Sequence, residues 1–253
     1  MNISVTGPKI LFEFTLFGMT VSITETVLSS VIVMLILMAA SVFLGRNLKK
    51  KPDGRQVLAE KAVTMVYNLV EETMGKHNSH FAPYIGTLFC ASVLGSLISM
   101  TGFLRSSTAD LSTTLAWALV TTGLVWYHSI KNFGFKGWLK GFTEPIAVMT
   151  PMNIVSEVAQ PIALAFRHFG NVACGGVLTA MIYNGLAAAS GFLFGWLPGI
   201  LGEIPFLQVG IPAVLSLYFD LFSGFIQALV FCMLTMVYVG SVCPPPEEKE
   251  AKE

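Results

Sequence analysis

The stretch Pro151–Leu186 reads PMNIVSEVAQPIALAFRHFGNVACGGVLTAMIYNGL, and it carries one arginine, Arg167, near its centre. A permanently charged guanidinium at the depth of a bilayer costs from about 3 to more than 10 kcal/mol. Because a guanidinium keeps its proton in proteins, Arg167 cannot relay one. It can repel cations, pair with a carboxylate and hold a fixed electric field. These properties suit a charge barrier in an ion path.

The composition of the chain is that of a membrane protein. Of its 253 residues, 54% are hydrophobic and 12% are charged, against about 25% charged residues in a typical soluble domain. Five segments are long enough to cross about 30 Å of hydrocarbon. We therefore predict an all-α membrane protein with five transmembrane helices and an amphipathic interfacial helix. The predicted transmembrane helices are 26–44, 82–104, 112–130, 152–187 and 207–240, between an outer N-terminal segment at 1–25 and a cytoplasmic tail at 241–253.

The basic residues between these segments predict the orientation of the chain, because positive charges collect on the cytoplasmic side of membrane proteins. The opposite side holds only Lys9 and Arg105. This bias places the N-terminus outside and the C-terminus in the cytoplasm, in agreement with an odd number of crossings. The residues assigned to the cytoplasmic side are Arg46, Lys49, Lys50, Lys51, Arg55, Lys61, Lys76, Lys131, Lys136, Lys140, Lys249 and Lys252.

Two kinds of segment depart from a simple span. Residues 55–75 place apolar side chains at helical spacing with charged ones between them, which predicts an amphipathic helix on the cytoplasmic interface. A short helix packed on the bundle remains an alternative. The 36 residues of Pro151–Leu186 would measure about 54 Å as a helix, so this span must tilt, bend or break. Pro161 and the pair Gly175 and Gly176 are candidate bends. We expect both of the last two helices to be long and strongly tilted.

A polar face on the fourth predicted span leads up to Arg167. At 100° per residue, Asn171 lies about 40° from Arg167, and Gln160 lies within about 40° of the same face. Glu157 is about 80° from that line and can form its wall. His168 adjoins Arg167 in sequence but points about 100° away.

The last span supplies a complementary face. Asp220 and Gln227 are seven residues apart, with Ser223 between them at helical spacing. An intramembrane aspartate is a candidate functional residue, whereas amides such as Gln227 can also serve only as hydrogen bonds between helices. Together the two faces predict one polar access from outside, past Asp220, and one from inside, past Glu157. Arg167 stands between them. We predict no metal site and no cofactor.

Three motifs resemble one known family, subunit a of F-type ATP synthase. LAFRHFGNVACGG at 164–176 resembles the R-x-F-G-N signature of that family, with Arg167 as its essential arginine. IQALVFCMLTMVYVG at 226–240 resembles its last helix, with Gln227 as the characteristic glutamine. STADLSTTLAWAL at 107–119 resembles the segment that opens its next-to-last outer loop and the following helix. The resemblance covers about residues 20–240.

The resemblance implies a stator in a bacterial plasma membrane, with no enzymatic activity of its own. Its implied partners are the c-ring, the peripheral stalk subunit b and the rest of the F1F0 complex, in a lipid bilayer and without nucleic acid. Arg167 would face the ion-binding carboxylates of the c-ring, and two offset half-channels would carry H⁺ or Na⁺ to and from the ring. Many members have an acid where this chain has Gly176 and a leucine-like residue at His168. Asp220 is therefore expected to serve the outer half-channel alone or with His168, and Glu157 the inner one.

Two other classes of protein are weighed against this family. A secondary transporter or cation channel would also keep a midplane arginine, but the chain shows no inverted repeat. An intramembrane enzyme would need a nucleophile and base or a metal motif such as H-E-x-x-H, and the predicted spans have neither.

Overall fold

The computed structural model describes residues 10–16, 19–46, 48–101, 104, 106–144, 146–194 and 218–245. These residues are mostly helical, as the composition predicts. Within the described ranges, the six α-helices are α1 (Glu25–Gly45), α2 (Gly54–Met74), α3 (Ala82–Leu97), α4 (Leu111–Gly141), α5 (Thr150–Phe194) and α6 (Gly224–Ser241).

The N-terminal part of the chain corrects the all-α expectation. Strands β1 (Ile10–Leu16) and β2 (Met19–Thr24) form an antiparallel hairpin directly before α1. The physical reason lies in the sequence, because FEFTL at 12–16 and MTVSIT at 19–24 alternate apolar and polar residues with the period of two that is typical of strands. Our prediction treated 1–25 only as an outer segment and missed that alternation.

Among the residues that the structure describes, three helices are long and apolar enough to cross a membrane: Glu25–Gly45, Lys76–Leu97 and Leu221–Ser241. The first coincides with α1, which exposes most of its surface. The second contains α3 and the 3₁₀ turn Lys76–Phe81 before it, and a second 3₁₀ turn, Ile98–Thr101, follows Leu97. The predicted span 82–104 is therefore shorter as an α-helix, since α3 ends at Leu97.

The next two predicted spans lie inside longer helices. Helix α4 begins where the Asp110 carboxylate accepts a hydrogen bond from the backbone N–H of Ser112 (3.0 Å), and it runs past the predicted end at 130. Helix α4 changes direction at Gly134, whose φ is 72°. Glycine adopts a positive φ readily because it has no Cβ atom. Helix α5 has 45 residues and measures about 68 Å. It extends beyond both ends of the predicted span 152–187.

The boundaries of α2 and of the last predicted span can also be compared with the structure. Helix α2 spans 54–74, nearly the predicted 55–75, and ends at Gly75, whose φ is 83° and whose N–H donates to the carbonyl of Glu71 (3.1 Å). The last predicted span, 207–240, is described from residue 218 onward; 207–217 lie outside the described residues. In the described part of this span, a π-helical turn, Tyr218–Ser223, leads into α6.

The apolar core lies where α2, α3, α4 and α5 surround α6. Phe231 and Met236 of α6 are its largest fully buried side chains. Helices α3 and α6 approach so closely at Gly224 that a Cβ atom there would lie 2.8 Å from the Cβ of Ser96. Glycine at this position therefore permits the two helices to touch.

The C-terminal end of α6 is held by side chains from two other parts of the chain. Asn132 Nδ2 of α4 donates to the carbonyl of Val242 (2.7 Å), and Asn78 Nδ2 donates to the carbonyl of Cys243 (3.1 Å). His77 Nε2 lies 2.9 Å from the same Cys243 carbonyl. We call these residues, His77, Asn78 and Asn132 with the two carbonyls, the α6 clasp. The clasp supplies partners for the carbonyls of the two residues that directly follow Ser241, the last residue of α6.

Candidate functional site around Arg167

Arg167 is an exposed residue of α5. The ion pairs formed by the described side chains are Lys49–Asp53 and Lys140–Glu144, and Arg167 belongs to neither. Its exposed neighbours at helical spacing include Asn171 and the small residues Ala159, Ala163 and Cys174. Small side chains let another helix approach closely, so this face presents a charge to whatever packs against it.

His168 occupies the opposite, buried face of α5. It is 0% exposed, and its Nε2 lies 3.2 Å from Ser92 Oγ of α3. Its ring packs 6.0 Å from Trp117 of α4 and 5.2 Å from Phe231 of α6, between ring centroids. The step of about 100° per residue thus turns His168 into the bundle while Arg167 faces outward. Among the described residues, nothing hydrogen-bonds to His168 Nδ1.

A hydrogen bond joins α5 to α6 one turn beyond Arg167. Asn171 Nδ2 donates to Oε1 of Gln227, which is only 4% exposed. Gln227 Nε2 is buried and has no hydrogen-bond partner within the described ranges. An unpartnered buried N–H group costs about 1–3 kcal/mol. The amide pair that the sequence predicted on facing helices is therefore brought together, with one donor still available.

A polar pocket opens beside this amide pair, and we call it the hydroxyl pocket. The buried Ser96 Oγ has no hydrogen-bond partner in the part of the chain that the structure describes, and Ser223 also borders the pocket. Its lining residues come from α3, the segment after it, α5, and the junction of the π turn with α6; they are Ser96, Ser99, Ser106, Asn171, Val172, Gly175, Ser223 and Gly224.

A second pocket, the carboxylate pocket, lies nearer the N-terminal end of α5. Glu157 Oε1 accepts a hydrogen bond from Trp126 Nε1 of α4. Gln160 lies beside it, as the predicted polar face requires. The lining residues are Thr121, Thr122, Val125, Glu157, Gln160, Pro161, Leu164 and Tyr238.

Arg167 lies between the two pockets along α5. It is three residues after Leu164 of the carboxylate pocket and four before Asn171 of the hydroxyl pocket, which is about one helical turn from each. Asp220 belongs to the π-helical turn that precedes α6, but its side chain lies outside what the structure describes. Five of the eight predicted residues thus line one pocket or the other or form the charge between them: Glu157, Gln160, Asn171, Ser223 and Arg167. Gln227 is joined to this set through its hydrogen bond with Asn171, and His168 faces inward.

Sequence reasoning missed the contribution of α3 to the hydroxyl pocket. Ser92, Ser96 and Ser99 follow one another at spacings of four and three in an apolar segment. This is the spacing of one helical face, and it could have revealed a second polar stripe. Our search for polar faces considered only the helices that carry Arg167 and Asp220.

Known proteins resemble this chain over nearly its whole length. The family described as ATP synthase A chain matches residues 27–240. A relative named ATP synthase subunit a, sodium ion specific, from Propionigenium modestum is 34% identical, covering 94% of this chain and 86% of the relative. ATP synthase subunit a from Anoxybacillus flavithermus is 32% identical, covering 90% of this chain and 94% of the relative. The chain therefore belongs to the ATP synthase A chain family.

Proposed function

We propose that this chain is the stator subunit a of the F0 sector of ATP synthase, which carries ions to and from a rotating c-ring. The observation that carries the proposal is Arg167, exposed and outside any ion pair of the described side chains, one turn from each of two polar pockets. By itself the chain is not an enzyme, because ATP is made in the soluble head of the complex. Its partners are the c-ring, subunit b and the rest of F1F0.

Arg167 acts on the ion-binding carboxylate of each arriving c subunit. At 4 Å and an effective dielectric constant of about 20, the attraction between the two charges is about 4 kcal/mol. That is close to a thousandfold in an equilibrium constant, enough to displace a bound ion yet weak enough for the ring to move on. The small neighbours of Arg167 let the ring helix come near. The fixed positive charge also repels any cation that would pass directly between the pockets.

The two pockets serve as the half-channels. The hydroxyl pocket, which Asn171 and Ser223 line, belongs to the outer path, together with Gln227, the hydrogen-bond partner of Asn171, and Asp220 in the preceding turn. The carboxylate pocket, with Glu157 and Gln160, belongs to the inner path. His168 supports the outer path from within the bundle, where its ring lies one turn from Asn171. Because the pockets are separate, an ion that enters by one must travel with the ring to leave by the other.

Two observations bear on which ion is coupled. The named specificity of the Propionigenium modestum relative is sodium, and the hydroxyl pocket offers oxygen atoms, which hard cations prefer. A proton can use the same path through water and Asp220. ATP synthesis driven separately by a sodium gradient and by a pH gradient decides between the two ions.

The proposed topology has five transmembrane helices in a bacterial plasma membrane, with α2 on the cytoplasmic interface, the N-terminus outside and the C-terminus inside. The basic residues support this orientation. Exposed positions near the two connecting regions provide the test: Ser112→Cys should react with an impermeant thiol reagent from outside, and Lys136→Cys from the cytoplasm. Reaction of both from one side contradicts the topology.

The central experiment replaces Arg167 in the complete complex. Arg167→Ala removes both the attraction and the barrier, so ATP synthesis in inverted vesicles under an imposed ion gradient should be lost, with normal subunit content. Arg167→Lys keeps the charge but loses the planar fork, so it should also be severely impaired. Lys140→Ala is the matched control, because Lys140 is an exposed cation in a surface ion pair (3.6 Å) of little energetic value. Normal synthesis by Arg167→Ala would refute the proposal.

A further inference from the structure

The β-hairpin before α1 has one apolar and one polar face. Opposed residues of an antiparallel pair share a face, and successive residues alternate between faces. Glu13 is the only charged residue between positions 10 and 24. Between Phe12 and Ile23, the apolar pairs are Phe12 with Ile23, Phe14 with Val21 and Leu16 with Met19, whereas the polar pairs are Glu13 with Ser22 and Thr15 with Thr20. The register is irregular between Ile10 and Phe12, and Ile10 pairs with Thr24 outside this pattern.

The apolar side of the hairpin is uncovered by the described residues. Phe12 is 73% exposed. Apart from the pairing of β1 with β2, the described part of the chain gives the hairpin more than marginal contact only with α1. A two-stranded hairpin alone is marginally stable in water, so a surface that covers Phe12 would stabilise it.

The position of the hairpin identifies that surface. Thr24 ends β2 and is also the residue before the first turn of α1, so the hairpin lies where α1 enters the membrane. Helix α1 is apolar, is long enough to cross a membrane and exposes most of its residues. The hairpin is therefore joined directly to a helix whose exposed apolar surface suits contact with lipid.

The depth of the hairpin follows from its backbone. Both edges of a two-stranded sheet carry unpaired N–H and C=O groups, which hydrocarbon cannot satisfy. Headgroups and water can satisfy them. Aromatic residues such as Phe12 and a lone carboxylate such as Glu13 on the opposite face suit this interfacial zone.

Polar contacts hold the hairpin in place relative to the bundle. Thr24 Oγ1 lies 2.7 Å from Thr26 Oγ1, and Thr26 Oγ1 donates to Asp110 Oδ2 (2.8 Å). The other oxygen of Asp110 caps α4. The junction of hairpin and α1 is thus fixed to the start of α4, beside the segment that lines the hydroxyl pocket.

We propose that the hairpin at 10–24 binds the lipid headgroup region through the face that contains Phe12, with Glu13 turned to water. The occupant of this face is phospholipid, because the hairpin is joined directly to a helix whose exposed apolar surface suits lipid and the face carries no charge for a protein partner to pair with. Its assignment to the outer leaflet rests on the proposed topology. The lipid contact itself does not.

The test places a single environment-sensitive fluorophore on either face of the hairpin in the complete ATP synthase. Phe12→Cys is the test variant and Glu13→Cys the matched control, in a complex whose other reactive cysteines are replaced by serine. The complex is reconstituted in phosphatidylethanolamine and phosphatidylglycerol vesicles that contain lipid with a nitroxide near its headgroup. We expect the nitroxide to quench the probe at 12 at least about threefold more than the probe at 13, and aqueous iodide to show the reverse order.

Two results overturn the proposal. Equal quenching of both probes by iodide, without lipid quenching, would place the Phe12 face in water. A probe at 12 that is protected from iodide and from the lipid nitroxide would be covered by protein, either a partner or a second copy. Iodide added inside or outside the vesicles reports the side of the membrane separately. Lipid quenching with accessibility from the cytoplasmic side would refute the topology and leave the lipid contact intact.

Discussion

The hydroxyl pocket and the carboxylate pocket lie on either side of Arg167 but differ in chemistry. The carboxylate pocket contains Glu157, a group that can bind and release a proton. The lining of the hydroxyl pocket contains serine hydroxyls, one amide and two glycines, without a titratable side chain among the residues that define it. The difference teaches that, in the proposed outer path, proton transfer would need a residue outside the lining, and Asp220 is the candidate.

The largest effect in this comparison is expected at Asp220. Removing a positioned proton carrier costs about a hundredfold where no water chain replaces it, so Asp220→Asn should slow ion-driven ATP synthesis at least about tenfold without preventing assembly. Asp220→Glu and Asp220→His should retain part of the activity. Asp53→Asn, in an exposed surface ion pair, is the control. Synthesis at the normal rate by Asp220→Asn would mean that the outer path lies elsewhere.

The next effect concerns the width of the hydroxyl pocket. In Gly224→Ala, the new Cβ would meet Ser96 Cβ at 2.8 Å, and overpacking of this kind costs about 1–3 kcal/mol. We expect a lower thermal stability of the complex and a several-fold loss of ATP synthesis. Adding Ser96→Gly should restore much of both. Gly123→Ala, which meets no atom within 4 Å, is the control, and an equal effect there would contradict the close approach of α3 and α6.

A smaller effect is expected from the amide pair that closes the hydroxyl pocket. Asn171→Ala and Gln227→Ala each break the same hydrogen bond, which is worth about 0.6–1.5 kcal/mol in a helical membrane protein. The double variant should therefore lower ATP synthesis no further than the worse single variant. Asn184→Ala controls for loss of an amide on α5. Among the described residues, the Asn184 Nδ2 group donates its hydrogen bond within the same helix, to the carbonyl of Ala180 (2.8 Å). Additive losses would show that the two amides act independently.

The smallest effect is expected in the carboxylate pocket. Glu157→Gln keeps an oxygen that can accept the Trp126 N–H but removes the charge, so the structure stays and proton exchange weakens. Because water can enter this partly exposed pocket, ATP-driven proton pumping should fall only about twofold to fivefold. Glu72→Gln, on the exposed side of α2, is the control. A loss as large as that of Asp220→Asn would remove the distinction between the two pockets.

The sequence predicted the helices well where an apolar run has clear ends. Helix α2 begins and ends within one residue of its prediction because Gly75 provides a positive φ at its end. Helix α4 continues past the predicted end at 130 because lysines do not stop a helix, and the change of direction comes only at Gly134. The hairpin was missed because a search for spans of about 20 apolar residues ignores short alternating strands.

The polar faces of two helices indicated which amides could lie close to Arg167. Asn171 and Gln227, each placed on such a face by its spacing from Arg167 or Asp220, are hydrogen-bonded to each other, and their role in an ion path stays a prediction. Contacts between helices that are distant in sequence could not be predicted in the same way. The contact of His168 with Ser92 depends on how α3 packs against α5, and no single helical period contains that information.

The α6 clasp has a mechanical consequence for a stator. A rotor that turns against α5 and α6 pushes them sideways with an equal and opposite torque. The free end of a helix would bend or unwind first under such a load, since its last carbonyls lack intrahelical partners. Here Asn132 ties that end to α4, and Asn78 and His77 tie it to the segment after α2. In the proposed stator, the load on α6 would therefore pass into α4 and into the segment after α2, so these elements would contribute to the stiffness against which the ring turns.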